Sequence, residues 1–178
     1  MIKEVKNIEN AIFPKVSNRL SKILVLVDGS ESSMNALELA VDLAATYGSK
    51  ICIINVVPTY HLYSWLMAPR DAFCHESLFI QTDVLKEMEE EAKSILISTL
   101  TLVQSVGIES YAIMGKGYPA SEIVRIANQE NVDLIVIGNT KPNIFTRLTL
   151  GNVIHSIIRK APCPILIVKR GKTHGDNK

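Results

Sequence analysis

Five short apolar runs, separated by longer stretches of helical period, constrain the fold of this chain more than any other feature. The first, Lys22 to Val27, is continuous and stops at Asp28-Gly29-Ser30, which reads as a strand covered on both faces and followed by a turn. Lys50 to Val57, stopped by Pro58, is the second; Ile108 to Ile113, Asp133 to Ile137 and Ile165 to Val168 are the others. Between them the period changes. Met34, Leu37, Ala40, Val41 and Ala44 recur at three and four, with Ser30 or Ser32 placed to cap and Gly48 to stop that helix. A long helix over Gln81 to Val106 carries Val84, Leu85, Met88, Ala92, Ile95, Leu96, Thr99, Leu102 and Val103 on one broad side. Its acidic run, Glu87 and Glu89 to Glu91, reads as the wet face. Pro119 suits the first turn of a third helix with the stripe Ala120, Ile123, Val124 and Ala127, and Leu150 to Arg159 is the fourth. Strands alternating with helices give an α/β fold, an open five-stranded parallel sheet with helices on both faces.

Length and composition bound the function. At 178 residues, 47% hydrophobic and 21% charged, the chain is one ordinary globular domain. A formal net charge of +1 supplies no field for nucleic acid or an anionic membrane, so neither is an expected partner. The three cysteines, Cys52, Cys74 and Cys163, are too few and too irregular for a disulfide framework or a metal knuckle and argue for a reducing compartment. No run approaches the roughly 20 apolar residues that span a bilayer, and Met1 to Lys22 has no signal-peptide core; cytoplasmic is the expectation. The histidines, at 61, 75, 155 and 174, have no zinc spacing. No base and nucleophile pair is evident, so no catalytic residue and no metal ligand is assigned.

In an open parallel sheet, ligands bind beyond the carboxyl ends of the strands, where the strand order reverses. Three loops leave such ends with suggestive residues: Asp28-Gly29-Ser30, Gly115-Lys116-Gly117, and the segment from Gly138 through Lys141 to Gly151-Asn152. Gly138 permits a sharp turn, Gly151 opens a helix whose first N–H groups favour an anion, and Asn152 is a good N-cap residue with an amide able to donate. Equally, glycines here are consistent with a turned corner and a helix start alone. No Walker loop and no Gly-x-Gly-x-x-Gly after the first strand is present.

Taken together these motifs resemble the universal stress protein family over about Ser21 to Lys169. The first strand ending in Asp28-Gly29-Ser30 is similar to that family's opening. Gly117-Tyr118-Pro119-Ala120-Ser121-Glu122-Ile123 resembles its third-helix entry. Asp133 to Gly138, Leu150-Gly151-Asn152-Val153 and Ala161-Pro162-Cys163-Pro164 followed by Ile165 to Val168 are the most specific matches. The resemblance implies an adenine nucleotide alpha hydrolase-like sheet of order 3-2-1-4-5 and, commonly, a homodimer paired through the last strand. Residues 1–20 then form an N-terminal extension, 21–169 the domain and 170–178 a tail.

ATP-binding members of that family resemble one another in a motif of glycine, two residues, glycine, nine residues, glycine, then serine or threonine. Gly138 and Gly151 fall on the first and third glycines; Lys141 falls on the second and Asn152 on the hydroxyl position. Asp28 matches the acidic residue beside the nucleoside, and Gly115 and Gly117 the loop near the ribose. The candidate ligand set is therefore Asp28, Gly29, Ser30, Val57, Gly115, Gly117, Gly138, Lys141, Gly151, Asn152 and Val153, with ATP, and Mg²⁺ if it binds, as the implied ligand. A lysine at positive φ costs roughly 1 kcal/mol or more in strain, yet it brings a cation toward a triphosphate, with Arg147 in the same loop. Pro142 steers Lys141 away from helical conformation. Two readings stand: a nucleotide-binding regulatory protein, or a homodimeric interaction protein whose pocket Lys141 and Asn152 have closed. Ile165 to Val168 would be an apolar edge strand in the implied order, covered by a twofold mate or by the N-terminal arm. The aromatics of residues 58–80 (Tyr60, Tyr63, Trp65, Phe73, Phe79) read as a satellite core, a lid or a partner surface. Ile12, Phe13 and Val16 are the anchors available to an N-terminal arm.

Overall fold

β1 (Lys22–Leu26) and β2 (Lys50–Val57) pair in parallel with Ile23 beside Ile51 and Val25 beside Ile53, so the two continuous apolar runs lie side by side. A computed structural model describes residues 20–59, 75–139 and 150–169, with the backbone alone at 75–82 and 150–152. β3 (Ser110–Lys116) joins the outer side of β2, β4 (Leu134–Gly138) pairs with the other side of β1, and β5 (Ile165–Val168) joins β4. The sheet is parallel throughout, in the order β3-β2-β1-β4-β5 expected from the resemblance.

Alternate residues of the same strands feed two cores. Ile23, Val25 and Val27 turn to one face, where they meet Ala36, Leu37, Ala40 and Ala44 of α1 (Glu31–Tyr47) and Leu96 and Val103 of α2 (His75–Ser105). Leu24, Cys52 and Ile54 turn to the other face. There they meet Ile123, Ile126 and Ala127 of α3 (Pro119–Glu130) and Val153 and Ile157 of α4 (Leu150–Lys160). Both faces of the sheet are thus dry, and each fully buried branched side chain stabilises the fold by about 1.5–3 kcal/mol. Of the two candidates for the first N-cap, Ser30 takes it, its hydroxyl accepting from Ser33 N at 3.2 Å, and Gly48 closes the helix.

Several boundaries differ from expectation. α2 starts at His75 rather than Gln81, since neither proline nor glycine stands between them to stop it. β3 starts at Ser110 rather than Ile108. Ile108 packs against the core from the turn after Gly107, and only at Ser110, beside Ile51, does the ladder begin. Val84 and Leu102, placed on the buried side of α2, are 47% and 52% exposed; the line that meets the sheet is Ala92, Leu96, Thr99 and Val103. Residues 1–19, 60–74, 140–149 and 170–178, with Lys141, Arg147, the anchors of the arm and most of the aromatic loop, lie outside the described residues.

Candidate functional site

The strand order reverses between β1 and β4: β2 and β3 extend to one side of β1, β4 and β5 to the other. Asp28 follows the carboxyl end of β1 and Gly138 is the last residue of β4, so the two candidate loops stand on either side of the reversal. The Asp28 loop is built from its own hydrogen bonds. Asp28 Oδ1 accepts from Ser30 N at 3.0 Å and Ser30 Oγ at 2.6 Å; Ser33 Oγ accepts from Asp28 N at 3.3 Å and donates to the Ser30 carbonyl at 2.8 Å. Asp28 is exposed, and its Oδ2 has no hydrogen-bond partner among the described residues.

Gly138 is required for a reason different from the sharp turn expected of it. A Cβ there would lie 2.2 Å from the carbonyl oxygen of Ser32 and 2.7 Å from Ser33 N, so the end of β4 is pressed against the backbone of the first turn of α1. The glycine therefore sets how closely the Asp28 loop and β4 approach each other. Asn139 N then donates to the Val168 carbonyl at 2.7 Å, tying the outgoing chain to β5.

At the end of β3, Gly117 has φ of 137° and donates its N–H to the Val57 carbonyl at 3.1 Å. Gly115 lies under Val56 Cγ2 and Glu122 Cβ. Glu122 accepts from Arg125 Nε at 3.0 Å and Nη2 at 2.6 Å, and the Arg125 guanidinium holds its carboxyl below the usual range. The Lys116 ammonium lies 2.7 Å from Glu89 of α2 and the Lys93 ammonium 2.5 Å from Glu90, so two members of the acidic run are paired rather than merely wet. The Glu122–Arg125 support under this loop was missed by sequence reasoning; their separation by three residues on a helix was the available signal.

Among the other predicted site residues, Gly29 and Ser30 share the Asp28 loop. Val57 and Val153 are 2% and 6% exposed, Val153 within the core beneath α3 and α4, so buried side chains leave their backbone to the site. α4 begins at Leu150, so Gly151 and Asn152 lie within its first turn and Asn152 is not the N-cap. In that turn the amide N–H groups have no acceptor within the helix. Because α4 follows β4 and runs back to β5, this turn stands at the same carboxyl edge as Asp28 and Gly138. Lys141 lies outside the described residues.

A shallow depression of about 570 Å³ opens at the opposite, amino edge, lined by Ser21, Lys22, Lys50, Glu109, Tyr111, Glu130 and Asn131. Its charges are satisfied by one another. Lys22 Nζ donates to the Glu130 carbonyl at 2.7 Å and carboxylate at 3.2 Å, the Tyr111 hydroxyl donates to the same carboxylate, and Lys50 pairs with Glu109 at 2.5 Å. The Tyr111 and Lys22 bonds hold the Glu130 carboxyl below its ordinary range. This cluster binds β1, β3 and α3 together and leaves no group directed at a ligand. The carboxyl edge is the better site, because there the exposed residue Asp28, the glycine loop and a helix amino terminus share one side of the sheet. Among the described residues no three of His, Cys, Asp and Glu gather to hold a metal, and no helix is long and apolar enough to cross a membrane.

Comparison with known proteins agrees with this architecture. The model of the universal stress protein family matches residues 20–169. Over 163 residues the chain is 31% identical to universal stress protein MJ0531 of Methanocaldococcus jannaschii, covering 92% of this chain and 90% of that one. The solved structure of MJ0577, from the same organism, is similar at a TM-score of 0.68 and 25% identity, covering 87% and 99% of the two chains. A universal stress protein solved in complex with cAMP is similar at a TM-score of 0.57 and 26% identity, covering 83% and 96%. With the family match spanning all five strands and the sheet in the order the motifs imply, the chain belongs to the universal stress protein family.

Proposed function

We propose that this chain is a non-catalytic stress-response regulator that binds an adenine nucleotide, ATP with Mg²⁺, at the carboxyl edge between β1 and β4. One observation carries the reading: the strand order reverses between Asp28 and Gly138, which is where an open parallel sheet takes its ligand. In this account Asp28 Oδ2 faces the nucleoside and the 115–117 loop the ribose. The first-turn amides of α4 and the Lys141 ammonium face the phosphates. Mg²⁺ would be held chiefly by the phosphates. The related protein that holds cAMP supports the adenine preference. The half-buried strand Ile165–Val168, an edge of this sheet, supports a homodimer formed by pairing that edge with its twofold mate, and through it a surface for a protein partner. The thiol content favours the cytoplasm as the place of work.

Thermal unfolding tests the assignment of residues. Millimolar Mg-ATP is expected to raise the midpoint by several degrees, as about 2–3 kcal/mol of linked binding energy does for a domain of this size, while GTP leaves it unchanged. Asp28→Ala should abolish most of the shift and Lys141→Gly should retain it, since the helix amides remain. Equal shifts with GTP, or a full shift in Asp28→Ala, would contradict the placement.

A further inference from the structure

Asn55 interrupts an otherwise apolar run in β2, between Ile54 and Val56. Asparagine is disfavoured inside a strand, and a half-buried amide needs a partner to offset the water it gives up. Asn55 Nδ2 has one in the Val27 carbonyl, to which it donates at 2.9 Å. Only the amide nitrogen can donate to a carbonyl, so this bond fixes which way the amide points.

The Val27 carbonyl and the Asp28 N–H belong to one peptide group, and the other end of that group is held as well. Ser33, a residue 3% exposed, accepts from Asp28 N at 3.3 Å through its Oγ. The same hydroxyl donates its proton to the Ser30 carbonyl at 2.8 Å, which leaves the oxygen to act as acceptor. β1 has ended at Leu26, although Val27 N still donates to the Ile54 carbonyl at 2.9 Å. The peptide between Val27 and Asp28 thus joins a residue 1% exposed to an exposed one, at the point where the chain leaves the sheet.

A peptide group is rigid, so turning this one changes ψ of Val27 and φ of Asp28 together and breaks both bonds at once. The bonds from Asp28 to Ser30 fix the carboxylate within its own turn. The bonds from Asn55 and Ser33 fix that turn against β2 and α1. Ser33 N also lies 2.7 Å from where a Cβ on Gly138 would be, so the end of β4 bears on the same group.

From the two side-chain bonds on one peptide, we infer that Asn55 and Ser33 are positioning residues for Asp28, clamping the 27–28 peptide so that the carboxylate is oriented before a ligand arrives. The consequence for affinity rests on the nucleotide reading of the carboxyl edge; the clamp itself does not. A group already oriented adds no ordering cost on binding. Releasing the peptide imposes that cost on the nucleoside and leaves the α4 amides as they were.

Amide exchange and ligand titration, both followed by NMR in the full-length protein, test the pair. Asn55→Leu keeps the approximate volume and removes the donor. Ser33→Ala removes the other bond and keeps the test open should the first variant fold poorly. Either is expected to speed exchange of the Asp28 amide in nucleotide-free protein by roughly tenfold or more, although Asn55 touches only the carbonyl of that peptide. The Asp133 amide, which donates to the Lys22 carbonyl at 2.9 Å at the opposite edge, should keep its rate. Mg-ATP and adenosine should each lose roughly tenfold in affinity while inorganic tripolyphosphate loses none. Because both side chains act on one peptide, the double variant should bind little worse than the weaker single one. Unchanged Asp28 exchange in both variants, equal acceleration at Asp133, equal loss of tripolyphosphate, or additive losses in the double variant would each overturn the clamp. If the unmodified protein binds no ATP, the nucleotide reading fails and the exchange rates alone decide the clamp.

Discussion

Gly138→Ala is expected to destabilise the protein by about 3 kcal/mol or more, at the upper end of what a single added methyl group does. The new Cβ would meet three backbone atoms, Ser32 O at 2.2 Å, Ser32 C at 2.4 Å and Ser33 N at 2.7 Å. None of these belongs to a side chain that can rotate away. β4 is paired on both sides, with β1 and β5, and cannot retreat without breaking a ladder. α1 is held at the same turn by the Asp28, Ser30 and Ser33 hydrogen bonds and by Ala36 and Ala40 in the core. The useful comparison is Gly48→Ala, where φ is 69° but nothing lies within 4 Å of the added carbon; strain alone should cost about 1–2 kcal/mol there. Denaturant midpoints at constant slope measure both. Equal costs would mean that α1 slides freely over the end of β4. The Gly138 variant should also lose nucleotide affinity, since any movement of α1 carries the Asp28 loop with it.

Alkaline pH should destabilise this fold chiefly through the thiol of Cys52. Cys52 is fully buried in the middle of β2. Burial pushes its pKa from 9.0 to about 11. The folded-state value lies above that of the unfolded chain, so the folded protein keeps its proton while the unfolded one gives it up. The stabilising contribution is complete below the unfolded value and declines as pH rises toward about 11. Two pH units correspond to about 2–3 kcal/mol. Tyr111 is raised as well, by burial and its bond to Glu130, and adds to the loss at the upper end. Cys52→Ala should be less stable at neutral pH, by about 1 kcal/mol for the small cavity, and should show a shallower decline from pH 8.5 to 10.5. Urea midpoints at half-unit intervals give the comparison; parallel curves would remove Cys52 as the cause.

What could be read from the sequence follows from where the determinants lie. β1, β2 and β4 were legible to within a residue because strands dry on both faces leave unbroken apolar runs, and the half-buried edge strand β5 is as apolar in sequence. β3 was placed early because Ile108 is apolar for the sake of the core while still in the turn before the ladder. On α2, apolar spacing alone could not separate the line beneath the helix from the flank beside it, so Val84 and Leu102 were assigned to the wrong one. The site divides in the same way. The Asp28 turn and its Ser30 cap are local and were readable. The role of Gly138 is not local: it depends on Ser32, more than a hundred residues earlier, and no neighbouring residue announces it. Asn152 was read as a cap because its residue type favours that position, but the helix has already begun at Leu150.

The central claim is that the edge between Asp28 and Gly138 holds an adenine nucleotide, and calorimetric titration of nucleotide-free, extensively desalted protein with Mg-ATP tests it most directly. Saturable binding of one nucleotide per chain, at micromolar affinity, is the predicted result. No heat up to millimolar ATP, from protein that is folded and dimeric by light scattering, would contradict it and leave an interaction protein that has kept the fold and closed the pocket.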